Sequence, residues 1–200
     1  LGREEVEFIV VINEEKTEII KYLSKYKSQY NVSFTYQNPN EIEYTGAIKS
    51  AKHLFGENNI VLLPDTILTL PTGVNLANEL HEKLEEKGFA FLFKPEANEK
   101  MLNTKGCLQL DNDQRVVDYE DKPSQKMVRF NGYWCAFAFK KEVFDECISF
   151  MEQSTLKLKK SNTVIEQTSI FGSKVIQVED YKDLGTWEEV GKLLSKNHGS

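Results

Sequence analysis

The chain has 200 residues, 40% of them hydrophobic and 28% charged, with a formal net charge of −6. That length suits one domain, or one domain with a small insertion, and is enough to bury a substantial core. The acidic balance argues against a non-specific nucleic-acid binder, which needs a Lys/Arg surplus to neutralise phosphates, and no apolar run approaches the roughly 20 residues of a membrane span.

Residues 6–12 (VEFIVVI) are β-branched and nearly continuous in apolar side chains, the pattern of a buried parallel strand. Asn13 opens a predicted helix over 14–27, with Ile19, Ile20 and Leu23 on one face. Residues 31–37 (NVSFTYQ) alternate and predict a second strand, and the polar loop 38–41 follows. A helix over 45–54 begins with the small residues Thr45-Gly46-Ala47. Then come a strand over 60–63, a helix over 74–87 and a buried strand over 89–93 (FAFLF). This β-α-β-α-β-α-β order implies a parallel sheet covered on both faces, with right-handed crossovers.

The rhythm then changes. Segments 105–110 and 115–119 flank the turn Asp111-Asn112-Asp113-Gln114 and predict an inserted β-hairpin. A strong strand over 133–139 (YWCAFAF) precedes a helix over 142–151, with Val143, Phe144, Cys147, Ile148 and Met151 at helical spacing. A Lys-rich surface loop is expected over 154–161, then a helix over 163–171, a strand over 174–178 and a closing helix over 186–194. The expected fold class is α/β: one Rossmann-like three-layer domain over residues 1–200, with a mostly parallel mixed sheet and an inserted hairpin. There is no charged-then-apolar secretory leader. Cys107, Cys135 and Cys147 have no C-x-x-C spacing, so a reducing, cytoplasmic location is expected. His53, His81 and His198 are scattered without zinc spacing.

The chemistry concentrates on two aspartates. Asp65 closes the run Ile60-Val61-Leu62-Leu63-Pro64, and Asp183 follows the 174–178 strand. Ligands of open α/β sheets bind at the carboxyl ends of strands. Mg²⁺ is commonly held there by one or two carboxylates, with water and substrate phosphates completing its shell. The plainer alternatives are a turn residue for Asp65 and a helix N-cap for Asp183. Other candidates stand beside predicted strand ends or tight loops. Gln37 offers an amide that can both donate and accept toward a base edge. Gly46 opens a helix closely approachable by a ligand. Lys122, between Asp121 and Pro123, can hold a phosphate as a point charge. Gly132 stands at a strand start, and Glu166 lies upstream of Asp183. Each also has a structural explanation: helix start, surface lysine, hairpin exit, exposed helical carboxylate.

In their order and spacing, Gln37, Thr45-Gly46-Ala47, Asp65, Asp121-Lys122-Pro123, Gly132-Tyr133 and Asp183-Leu184-Gly185-Thr186 resemble the sugar nucleotidyltransferases, the nucleoside-diphosphate-sugar pyrophosphorylases. The resemblance spans essentially the whole chain. It implies transfer of a nucleoside monophosphate from an NTP to a sugar 1-phosphate, or to a similar acceptor such as phosphocholine, with release of pyrophosphate. Asp65 and Asp183 would hold Mg²⁺, Lys122 the acceptor phosphate and Gln37 the base, with Gly46, Gly132 and Glu166 lining the substrates. The chain departs from the family pattern at several places. Pro64 replaces a glycine, Glu43-Tyr44 replace Gly-Thr, Asp121 replaces a glutamate and Tyr181 a tryptophan. The family's opening strand and Gly-x-Gly-Thr-Arg loop have no counterpart after Leu1, and the expectation is that they precede this sequence.

The expectation is that no β-helix acyltransferase domain follows Trp187, so that the chain is a compact enzyme acting on sugar phosphates or phosphocholine for surface polysaccharide. Two alternatives stay open. One is a non-catalytic nucleotide- or sugar-binding homologue. The other is a nucleotide-sugar-dependent glycosyltransferase of similar fold, although Asp65-Thr66-Ile67 lacks the Asp-x-Asp usual there. The base, the acceptor and any homo-oligomer stay open at this point.

Overall fold

The structure is a computed structural model that describes residues 6–41, 43–124, 127–159 and 170–197. The chain divides into two compact units, Leu1–Glu57 and Asn58–Ser200.

In the first unit, strands β1 (Glu7–Ile12) and β2 (Asn31–Tyr36) pair in parallel, from Glu7 opposite Asn31 to Ile12 opposite Tyr36. Between them the predicted helix over 14–27 is broken. Only α1 (Glu18–Leu23) is α-helical, flanked by 3₁₀ turns at Glu14–Lys16 and Ser24–Tyr26. The physical reasons are local. Asn13 makes no side-chain cap, no residue of α1 is buried, and Ser24 Oγ donates back to the Ile20 carbonyl at 2.6 Å, which favours a tightened turn. Helix α2 (Glu43–Ala51) buries Thr45, Gly46, Ile48 and Ala51 and ends in a 3₁₀ turn, Lys52–Leu54.

The second unit opens with β3 (Asn58–Val61) and β4 (Thr66–Thr69). Helix α3 (Leu76–Lys87) is capped by Asn75, whose side chain accepts from the N–H groups of Ala77 and Asn78. Strand β5 (Phe89–Pro95), the short α4 (Glu99–Leu102), and the hairpin β6 (Gly106–Leu110) and β7 (Val116–Asp121) follow. Then come β8 (Gly132–Lys140), α5 (Phe144–Lys159), β9 (Val175–Gln177), β10 (Asp180–Asp183) and α6 (Trp187–Asn197).

The main sheet has the order β7-β6-β8-β5-β9, with β3 also on β8. Strand β8 runs antiparallel to β3, β5 and β6, while β5 and β9 are parallel. Strands β3, β5, β6 and β9 thus point one way, and β7 and β8 the other. The sheet is mixed as expected, with β8 antiparallel to both β3 and β5.

Packing follows strand alternation. Ala90 and Ala138 are cross-strand partners, and these two small side chains seat the fully buried Leu84 of α3. On the opposite face Phe91 and Tyr119 meet Phe150 of α5, with ring centroids 6.3 and 5.2 Å apart. The result is helix, sheet, helix, as expected.

Two expectations change. Residues 154–159, read as a surface loop, continue α5, because the Leu and Lys that follow Ser154 are good helix formers. Strands β4 and β10 were not foreseen: four residues each, they carry too short an alternation to register. Most of the predicted 163–171 helix lies outside the described residues.

Candidate active site

The short ladder β4–β10 builds the site. It pairs Thr66 with Asp183 and Leu68 with Tyr181, antiparallel. Asp65 stands immediately before β4, and its carbonyl accepts the Leu184 N–H at 2.7 Å. Two carboxylates 118 positions apart in sequence are therefore delivered to one strand end. Gly185 measures their convergence: the position a Cβ would take there lies 3.0 Å from Asp183 Oδ1 and 3.2 Å from Asp65 Oδ2. A single point between the two acids is thus within reach of both.

Their environments differ. Asp183 Oδ1 accepts the Gly185 N–H at 3.0 Å, and Oδ2 accepts from Lys105 Nζ at 3.0 Å. The Gly185 amide, then Lys105, hold the Asp183 carboxyl below its ordinary range. Helix α6 is capped by Thr186, whose Oγ1 accepts the Glu189 N–H at 3.3 Å, so the cap role does not fall to Asp183. Asp65 sits in the turn that closes with Thr66 N–H on the Leu63 carbonyl. Among the described residues no hydrogen bond or ion pair holds its carboxylate. No cluster of three or more His, Cys, Asp or Glu side chains that could hold a metal ion exists among them either. A pair of oxygen donors with room around it suits a hard cation that takes water and phosphate for its other ligands; it does not suit a closed zinc site.

Lys105 is a site residue that sequence reading missed. It begins the hairpin, far from Asp183 in the chain and inside no motif, so no local signal marks it. Its Nζ also stands 5.0 Å from the centroid of the Tyr181 ring. Burial pulls its pKa down, but the hydrogen bond to Asp183 and the charge of that carboxylate outweigh this and leave it above its ordinary value.

Lys122 lies at the other end of the same hairpin. Its N–H donates to the Lys105 carbonyl at 2.9 Å, and its backbone takes φ 49°, a left-handed conformation costly for a non-glycine residue. Asp121 before it pairs with Gly106 across the ladder; burial raises its pKa, and the Lys122 charge only partly opposes this. Gly132 opens β8 opposite Pro95, where a Cβ would overlap the Lys94 carbonyl oxygen and the Phe93 ring. The next residue, Tyr133, packs edge-on against Tyr181 at 5.6 Å. Asp65, Asp183, Lys105, Lys122 and the Gly132-Tyr133 strand start thus form one connected neighbourhood.

Gln37 and Gly46 belong to the first unit and meet each other there. Gln37 Nε2 donates to the carbonyls of Glu41 at 2.8 Å and Glu43 at 3.0 Å. Gly46 lies so close to Glu41 that a Cβ would overlap its carbonyl oxygen. Both amide hydrogens of Gln37 are engaged, and Oε1 remains as an acceptor. Glu166 lies outside the described residues.

The comparisons with known proteins bear on the fold and the family. No curated protein sequence matches the chain. Among solved structures, a protein described as a glucose-1-phosphate thymidylyltransferase from Bacillus anthracis, in complex with a sucrose, superimposes with a TM-score of 0.66 at 12% identity, covering 96% of this chain and 76% of its own. A UTP-bound UGPase from Acinetobacter baumannii gives 0.64 at 12% identity, with the same 96% and 76% coverage. A UDP-glucose pyrophosphorylase from the same organism gives 0.65 at 14%, over 93% and 74%. At such identities these likenesses speak to the fold. The family model described as nucleotidyl transferase matches residues 2–197, and the chain belongs to that family.

Proposed function

We propose that this chain transfers a nucleoside monophosphate from an NTP to a sugar 1-phosphate, or to a similar small phosphorylated acceptor such as phosphocholine, and releases pyrophosphate. The observation that carries the proposal is the convergence of Asp65 and Asp183 on one point beside Gly185. Support also comes from the descriptions of the structural neighbours, one named for glucose 1-phosphate and another bound to UTP.

An oxygen of the acceptor phosphate attacks the α-phosphorus in line, the new O–P bond forms, and the bond to pyrophosphate breaks. Such a transfer needs positioning and charge neutralisation rather than a nucleophilic side chain. Asp65 and Asp183 are the residues that would hold Mg²⁺, which when bound neutralises charge developing on the phosphates. Asp65, without a protein partner among the described residues, supplies an uncompensated negative charge. Asp183 is oriented through both of its oxygens. Lys122, exposed at the end of the hairpin, is assigned to the acceptor phosphate as a point charge. Gln37 Oε1, within the first unit, is left to accept from a base N–H. The three described cysteines are unpaired and buried, which suits a cytoplasmic enzyme. No helix among the described residues is long and apolar enough to cross a membrane.

The test is pyrophosphate release by the full-length encoded protein with Mg²⁺, across the four NTPs and a panel of sugar 1-phosphates plus phosphocholine. One NTP–acceptor pair is expected to respond. Asp65→Ala is expected to lower that rate about 100-fold or more, the scale of charge stabilisation a metal supplies. Nucleotide-dependent melting shifts without release from any pair would instead favour a non-catalytic binder.

A further inference from the structure

We propose that Lys105 is a positioning residue that acts through Asp183: its ammonium is the counter-ion of that carboxylate and competes with a divalent cation for it, so that Lys105 sets the metal affinity of the pair. The inference rests on the assignment of Asp65 and Asp183 to a divalent cation.

Four observations carry it. The ion pair Lys105 Nζ–Asp183 Oδ2 measures 3.0 Å, well within salt-bridge range. The lysine side chain is 20% exposed and the aspartate 46%, so the ammonium is sheltered where the carboxylate is open. Its position is held at both ends. The Tyr181 ring lies 5.0 Å from the ammonium, and the Lys105 carbonyl accepts the Lys122 N–H at 2.9 Å. The backbone behind it has no room to move, because Gly106 lies so close to the Trp134 indole that a Cβ there would overlap Nε1.

Surface lysines hold carboxylates loosely and at an entropic cost. This one is pre-placed, so its charge acts continuously on Asp183. The pair of acids then presents a net charge nearer −1 than −2 to an incoming cation. A divalent ion reaching both carboxylates must draw Asp183 Oδ2 away from Lys105 or share it. Removing the lysine charge should therefore tighten binding of the ion, by about tenfold for a partly exposed pair whose interaction water screens.

Mn²⁺ serves as the probe, titrated into the nucleotide-free protein and followed by electron paramagnetic resonance of the free ion. Wild type, Lys105→Met, Lys105→Arg and Asp183→Asn are compared, and thermal melting confirms that each is folded. Lys105→Gln replaces the methionine variant if that one fails to fold. The expected result is about tenfold tighter binding by the neutral variant, wild-type affinity in Lys105→Arg, and loss of binding in Asp183→Asn. A merely structural lesion would weaken binding, so the sign of the change separates the two roles. Wild-type binding that depends on Asp183 but does not tighten in Lys105→Met overturns the role of Lys105 and leaves the metal assignment standing. Absence of any Asp183-dependent binding overturns both.

Discussion

Gln37 and Gly46 of the first unit and Asp65 of the second meet opposite fates. In the first unit, Gln37 gives both amide hydrogens to the carbonyls of Glu41 and Glu43, and Gly46 is pressed against Glu41. The chain itself uses what they offer. In the second unit, the Asp65 carboxylate has no protein partner among the described residues, and Asp183 is half-exposed. Residues whose polar atoms the fold already satisfies should report on stability when changed. Residues left open should report on ligand binding and turnover with little effect on stability.

The largest expected effect tests the frame on which this contrast rests. Phe137 lies in the middle of β8, 1% exposed, with Phe89, Phe139 and Trp134 packed around it. Phe137→Ala should lower the unfolding free energy by about 3–5 kcal/mol, since a large buried ring leaves a cavity its neighbours cannot close. Denaturant titration gives the value. A loss under roughly 1 kcal/mol would mean that this aromatic layer does not carry the second unit.

Two substitutions in the first unit come next. Gly46→Ala should cost about 1–3 kcal/mol, because the added methyl meets backbone rather than a side chain able to swing away. Gln37→Leu removes the donors from a part-buried carbonyl (Glu41) and an exposed one (Glu43) and should cost about 1 kcal/mol. Thermal unfolding of both, set beside Asp65→Ala, sharpens the comparison. If Gln37→Leu were neutral in stability, its bonds to the Glu41 and Glu43 carbonyls would not be what defines the residue, and the division between the units would fail.

Much of the architecture was legible because strong patterns have strong causes. The runs FAFLF and YWCAFAF can be little else than buried strands, and the Asp-rich turn between β6 and β7 announces a hairpin. Sheet order was less accessible. Alternating strands and helices implied parallel pairing, but β8, from a later part of the chain, runs antiparallel between β3 and β5. Periodicity reports which face is buried, not which strand lies alongside. The same limit applies to the site. Asp65 and Asp183 could be named from their positions at strand ends, yet the ladder that joins them is only four residues long, too short for its alternation to stand out. Lys105 was invisible for a related reason: its role is a single 3.0 Å contact across the fold, and nothing in its neighbours' identities encodes it.

The smallest effects set Asp121 against Asp183. Both are in the second unit, but their environments push in opposite directions. Burial raises the Asp121 pKa, and Lys122 only partly opposes it. A carboxyl whose folded pKa is raised costs stability wherever it is charged. The cost is absent below its ordinary value of about 3.9 and fully present above the folded value. Asp121→Asn should therefore raise the melting temperature at pH 7, and the gain should vanish as the pH is taken below the ordinary carboxylate range. For Asp183 the Gly185 amide and Lys105 lower the pKa. Its charge contributes stability above about 3.9, lost as the pH falls through the folded value, so Asp183→Asn should be slightly less stable at neutral pH and converge with wild type in acid. Melting curves of the two variants from pH 3 to pH 8 should thus diverge from wild type with opposite signs. Curves that shift in the same direction would show that the two acids share one environment. The contrast between a desolvated carboxyl on the hairpin and an oriented, charged one at the end of the β4–β10 ladder would then be lost.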